Sequence, residues 1–122
     1  GLLRDADSER FLTAVAALLD GLPDLEVVGR ASDGVETVDM AIRLRPDVVL
    51  MDLDMPRRAG VEATRLITEN VPESKVVILS GSAVVAHGAA TKAAGAVGYV
   101  VKSQVVTDLP PLLEALRPRP PV

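Results

Sequence analysis

The stretch Asp47 to Pro56 reads DVVLMDLDMP. Val48 to Met51 is apolar at four consecutive positions, the pattern of a strand covered on both faces, and it delivers Asp52 and Asp54 to the strand's carboxyl end. Pro56 and Gly60 then mark a turn. A carboxylate at such a strand end is a place for chemistry or metal binding; it is equally the ordinary way to start a loop, and the stretch alone leaves both readings open.

The rest of the chain narrows the setting. At 122 residues it fits one domain with enough chain to bury a core. Hydrophobic residues make up 48% and charged residues 25%, a globular balance, and no apolar run approaches the roughly 20 residues of a membrane span. There is no cysteine, which excludes disulfides and thiolate metal sites; with no signal peptide in view, the expected compartment is the cytoplasm. Thirteen basic against seventeen acidic residues give a net charge of −4, and the aromatics are Phe11 and Tyr99, so direct nucleic-acid binding by this segment is not expected.

Outward from Asp52, short β-branched runs alternate with helical patterns, each punctuated by Gly, Pro, Asn or Asp. Leu2 and Leu3 suggest the remnant of a first strand, short because Gly1 stands only a few residues before Asp7. Phe11, Leu12, Val15, Leu18 and Leu19 share one face of a helix that Gly21 and Pro23 end. Leu25 to Ala31 is the second expected strand. Val35, Val38 and Ile42 line a helix that stops before Pro46. Val61 to Asn70 is the next helix, Lys75 to Leu79 the fourth strand, Ala83 to Ala94 the fourth helix and Val97 to Val101 the fifth strand. The fourth helix is the weakest, with Gly88 in its middle and mostly alanines for apolar contact, and is expected to be the most mobile. A last helix covers about Leu109 to Leu116, and RPRPPV, from Arg117, reads as the start of a stiff linker.

Five strands alternating with five helices predict a doubly wound α/β parallel sheet, whose ligands bind at the carboxyl ends of the strands. The polar residues there are Asp5 and Asp7, Asp52 and Asp54, Ser80 and Ser82, and Lys102 and Ser103. Carboxylates from two strands suit a hard cation such as Mg²⁺. A hydroxyl and an ammonium complete a phosphoryl site in which Asp52 is the nucleophile, Lys102 pairs with one oxygen and Ser80 bonds another.

At these residues the chain resembles the receiver domains of bacterial two-component response regulators, and is most similar to those of the NarL/FixJ (LuxR-type) family. The matching pieces are DSERF at Asp7 to Phe11, PDLEVVGRASDG at Pro23 to Gly34, RPDVVLMDLDMP at Arg45 to Pro56, VVILSGS at Val76 to Ser82 and AGAVGYVVKS at Ala94 to Ser103. The resemblance implies a flavodoxin-like fold of strand order 2-1-3-4-5 and a phosphoacceptor, Asp52, served by a sensor histidine kinase. It implies Ser80 and Lys102 as the other catalytic positions, and Tyr99 as the aromatic that turns inward when Ser80 closes on the phosphoryl group. Mg²⁺ would be held by Asp7, Asp52 and the backbone carbonyl of Asp54. It further implies a receiver over residues 1–117 and a linker over 118–122. That linker would lead to an absent helix-turn-helix domain, through which alone DNA would be bound, with homodimers on activation.

Two departures stand out. The family usually has two adjacent acids after the first strand, and here Ala6 holds the first position and Asp7 the second. Mg²⁺ binding is therefore expected to be weakened unless Asp5 substitutes, which strand alternation opposes. Ala59 precedes Gly60 where Asp or Asn is usual, a change in the loop more than in the chemistry. Ala6 supports an alternative: an atypical receiver acting without phosphorylation, as a dimerisation or ligand-sensing module. Asp54 and Ser82, two residues beyond site residues, are placed to tune water attack on an acyl phosphate. A haloacid-dehalogenase-like phosphatase shares the DLD of Asp52 to Asp54, but Pro56 stands where that motif wants Thr or Val, and the chain is expected not to be an enzyme beyond self-phosphorylation and autodephosphorylation. The simpler roles are a helix cap for Asp7, a loop hydroxyl for Ser80, a solvated charge for Lys102 and a core ring for Tyr99. His87 receives no role.

Overall fold

Val48–Asp52, as expected from its unbroken apolar run, is buried at every position and lies in the middle of the sheet. The computed structural model describes residues 2–5, 27–31, 34–52, 57–81 and 85–116. Five parallel strands, β1 (Leu2–Asp5), β2 (Val27–Ala31), β3 (Val48–Asp52), β4 (Lys75–Ser80) and β5 (Gly98–Val101), form one sheet in the order β2-β1-β3-β4-β5. This is the doubly wound, flavodoxin-like arrangement. Among the described residues four α-helices accompany it, Gly34–Leu44, Arg57–Asn70, Val85–Ala93 and Val105–Leu116, with a 3₁₀ turn at Lys102–Gln104. The expected helix around Phe11 to Leu19 and the tail from Arg117 lie outside the described residues. No helix among them is long and apolar enough to cross a membrane.

Side-chain alternation along β3 and β4 divides the core into two layers. Val48, Leu50, Val77 and Leu79 pack with Val100 and with Val105, Leu109 and Leu113 of the last helix. Val49, Met51, Val76 and Ile78 pack with Ala41, Ala63 and Ile67, and Val38, Met40, Ala96 and Tyr99 border that cluster. Each fully buried Leu, Ile or Val contributes about 1.5–3 kcal/mol by leaving water, so these layers and not the polar rim hold the sheet.

Three expectations are corrected in detail. Helix Gly34–Leu44 does not bury Val35 and Ile42, which are 76% and 42% exposed; its inward residues are Gly34, Thr37 and Ala41. Both sets have helical spacing, and the small set faces inward because small side chains let the helix approach its neighbours closely. The last helix begins at Val105, not Leu109, because Val105, Leu109 and Leu113 make one continuous buried stripe. Pro110 and Pro111 lie inside it, where they remove the N–H donors for the carbonyls of Val106 and Thr107 without ending the helix. The helix expected from Val61 begins at Arg57, four residues earlier.

Two joints fix how strands are entered. Arg45 ends its helix with φ +45°, its N–H donating to the Ala41 carbonyl at 2.9 Å, and Pro46 prevents continuation. From there Asp47 accepts from the Lys75 N–H at 2.9 Å and Pro46 accepts from the Ser74 hydroxyl, tying the starts of β3 and β4 together. At the end of helix Val85–Ala93, Gly95 has φ +112°. Its N–H donates to Lys92 and that of Ala96 donates to Thr91, each at 3.0 Å, the paired bonds of a Schellman cap.

Gly95 is also pressed against helix Arg57–Asn70: a Cβ there would lie 2.4 Å from Thr68 Oγ1 and 2.8 Å from Thr68 Cβ. Gly95→Ala is therefore expected to lower unfolding stability by about 2 kcal/mol, through the positive φ and the overlap together. Urea unfolding of the two proteins checks this, and an unchanged midpoint would show that the cap relaxes without cost.

Candidate functional site

The carboxyl rim of the sheet sets three polar residues in a diagonal. Asp52 ends β3 level with Leu79, Ser80 comes one residue later on β4 and is level with Val101, and Lys102 follows Val101 directly. Each strand thus carries its polar residue one step further than the last. The sequence separates Asp52 from Lys102 by 50 residues; the parallel register closes that distance.

Asp52 is fully buried and Ser80 nearly so. The Lys102 side chain is 15% exposed and its ammonium donates to Asp52 Oδ2 at 2.8 Å. This is a charge-assisted bond of ordinary length between groups largely withdrawn from water. It arises because the 3₁₀ turn begins at Lys102, as soon as β5 ends, and starts the tight path into helix Val105–Leu116.

Tyr99, three residues before Lys102, is half-buried and borders the core layer made with helices Gly34–Leu44 and Arg57–Asn70. Beside it lies a cavity of about 230 Å³ between helix Val85–Ala93 and β5, lined by Gly88, Thr91, Lys92, Gly98 and Tyr99 among others. Gly88 leaves that space open: a Cβ there would stand 4.0 Å from Tyr99 Cδ2. Thr91, buried beneath it, donates its hydroxyl to the Gly88 carbonyl at 3.0 Å. In the sequence Gly88 stands out only as a weakness in a helix; its position opposite Tyr99 depends on how that helix crosses β5.

The remaining expected site residues divide clearly. Asp5 is the last residue of β1 and is level with Met51, one position short of Asp52. Asp7, Asp54, Ser82 and Ala6 lie outside the described residues. Among the described residues no group of three His, Cys, Asp or Glu side chains gathers in one place. The Asp52 carboxylate faces the Lys102 cation. A phosphoryl group added there would bring more negative charge than one ammonium balances, so the oxygen donors of this rim suit an additional hard cation.

Comparison with known proteins follows the same lines. Residues 6–114 match the response regulator receiver domain family. The chain is similar to the transcriptional regulatory protein LiaR of Bacillus subtilis (strain 168), 36% identical over 109 residues, 89% of this chain and 52% of that protein. It is also similar to the transcriptional regulatory protein DegU of Brevibacillus brevis, 37% identical over 114 residues, 91% of this chain and 46% of that protein. A third relative is the protein-glutamate methylesterase/protein-glutamine glutaminase of Thermotoga maritima, 36% identical, with 91% of this chain covering 35% of that protein. The chain therefore spans about half the length, or less, of these curated relatives. Among solved structures it resembles a two-component response regulator of the LuxR family from Aurantimonas sp. SI85-9A1, with TM-score 0.86 and 30% identity, over 94% of this chain and 82% of that one. It resembles as well the response regulator domain of Thermotoga maritima CheB, with TM-score 0.79 and 33% identity, over 95% and 92% of the two chains. Sheet order and similarity agree, and the chain belongs to the response regulator receiver domain family, with LuxR/NarL-type transcription regulators among its relatives.

Proposed function

We propose that this receiver domain takes a phosphoryl group on Asp52 from a sensor histidine kinase and controls a transcription-regulator output in the longer protein. The observation that carries the reading is the buried Asp52 carboxylate with the Lys102 ammonium 2.8 Å away and Ser80 one strand over. In the transfer, an Asp52 oxygen attacks phosphorus, a P–O bond forms, and the P–N bond of the phosphohistidine breaks with its electron pair returning to the imidazole. Lys102 exchanges part of its contact with Asp52 for a phosphoryl oxygen, and the Ser80 hydroxyl donates to another.

Mg²⁺ would be held by Asp52, Asp7 and the Asp54 backbone carbonyl, and when bound supplies neutralisation of the phosphoryl charge. Asp5, level with Met51, is the less suited replacement for the acid that Ala6 lacks. Tyr99 turning toward Ser80 then changes the surface of β5 and helix Val85–Ala93. Residues 1–117 form the receiver in this proposal, and 118–122 begin the linker to the effector half. That half carries DNA binding and favours paired receivers on activation. The domain is a phosphoacceptor and not a turnover phosphatase, and acts in the cytoplasm.

Ala6 favours one other reading, an atypical receiver that signals as a dimerisation or ligand-sensing module without phosphate. Intact mass after incubation with acetyl phosphate and Mg²⁺ separates the two. The expected result is a gain of one phosphoryl group, absent in Asp52→Asn and enhanced at low Mg²⁺ in Ala6→Asp. Labelling retained in Asp52→Asn would refute the acceptor, and labelling seen only in Ala6→Asp would establish the atypical reading.

Removing the Lys102 charge separates catalysis from stability. Lys102→Met leaves the buried Asp52 carboxylate without its cation, and is expected to cost about 3 kcal/mol of unfolding stability at neutral pH. Combining it with Asp52→Asn should recover much of that loss. Equal destabilisation in the single and double variants would mean that the lysine acts through packing of its stem and not through its charge.

A further inference from the structure

The inversion of helix Gly34–Leu44 is the feature that the phosphoryl site does not use. This helix spends its small residues on the interior and leaves Val35 76% and Ile42 42% exposed, with Val38 half-buried one turn from each. The spacing of Val35, Val38 and Ile42 makes them one stripe. Where the stripe meets helix Arg57–Asn70 it forms an apolar groove of about 330 Å³, with Val35, Val38 and Leu66 on its walls and Asp39 and Glu62 on its rims. Exposing two large β-branched residues on one helix has no benefit for the fold, since neither is needed to cover the core.

The charges along the same helix are segregated. Glu36 and Asp39 stand in its first half and Arg43 in its second, all exposed, while Glu62 on the far rim is already paired with Arg65. A two-fold axis crossing the helix near its middle reverses that order in the partner. With the axis level with Met40 it lays Val38 against Ile42 of the other copy, and leaves Asp39 and the other Arg43 offset by about 3 Å along the helix, within reach of their side chains. A parallel pairing keeps the charge order the same in both copies and offers no such opposite-charge contact.

We infer that helix Gly34–Leu44 is a self-association surface, on which two copies of this chain pack antiparallel through Val35, Val38 and Ile42 with Asp39–Arg43 pairs at the edges. An eleven-residue helix is about 16 Å long, so the contact is at the small, transient end of protein interfaces. The surface is separate from Asp52 and does not require phosphate, so its failure would leave the phosphoryl reading untouched.

The test is sedimentation velocity of the unphosphorylated chain over roughly 10 μM to 1 mM, the range suited to such an interface. Dimer is expected to grow with concentration, to weaken in high salt, and to be lost in Ile42→Ser. Asp39→Arg and Arg43→Glu should each be monomeric alone. An equimolar mixture of the two should restore dimers, because every edge pair is then between opposite charges. Circular dichroism shows whether each variant is folded. A monomer throughout the range, or a dimer equally strong in Ile42→Ser and both charge variants, would overturn the assignment, as would a mixture no more dimeric than its components.

Discussion

A carboxylate held out of water at the end of a central strand is the constraint around which the carboxyl rim is arranged. Asp52 has no exposed surface, and the cation beside it comes from the opposite half of the chain. Buried ion pairs of this kind are poor sources of stability, because desolvation offsets most of the Coulomb gain. The pair is therefore maintained by the fold more than it maintains the fold. Two apolar layers supply the free energy, and the registers of β3, β4 and β5 fix where the two charges meet. A buried ion pair that adds little stability marks this position as a candidate for chemistry.

Much of this was legible in the chain. Val48 to Met51 is apolar on both parities, which only a strand buried on both faces requires, and the acid following it marks the rim. The partnership of Asp52 with Lys102 is a different matter. Nothing in the residues between them, a separation of 50 positions, measures distance, and only the parallel order and the family resemblance brought the two to one place in advance. The helix errors have a common cause. Hydrophobic periodicity weighs size, and so it placed Val35 and Ile42 inside, whereas the close approach of helix Gly34–Leu44 selects Gly34, Thr37 and Ala41. Likewise the helix expected from about Leu109 begins at Val105, because the stripe of Val105, Leu109 and Leu113 gains enough burial to carry the helix through the two hydrogen bonds missing at Pro110 and Pro111.

The two sheet faces are connected to the site unequally, which bears on how a change of charge at Asp52 would reach the surface. Along β5 successive residues alternate between layers: Tyr99 borders the layer of helices Gly34–Leu44 and Arg57–Asn70, Val100 belongs to the layer of helix Val105–Leu116, and Lys102 follows at the rim. A displaced Lys102 pulls on the 3₁₀ turn and through it on Val105, the first buried residue of the last helix. Tyr99 opens instead onto the cavity under Gly88, where there is room for a ring to move without first displacing a neighbour. Both routes leave from β5. Helix Gly34–Leu44 packs against β1, β2 and helix Arg57–Asn70, and it meets the Tyr99 route at the apolar layer that Ala41 and Val38 share with Tyr99. Under the proposed phosphoryl transfer, β5 is the strand next to the change, while Val35 and Ile42 stand on the outer side of a helix that touches β1 and β2. The proposed contact on helix Gly34–Leu44 and the proposed response at β5 involve different residues, so the two surfaces can be combined in one assembly without competition.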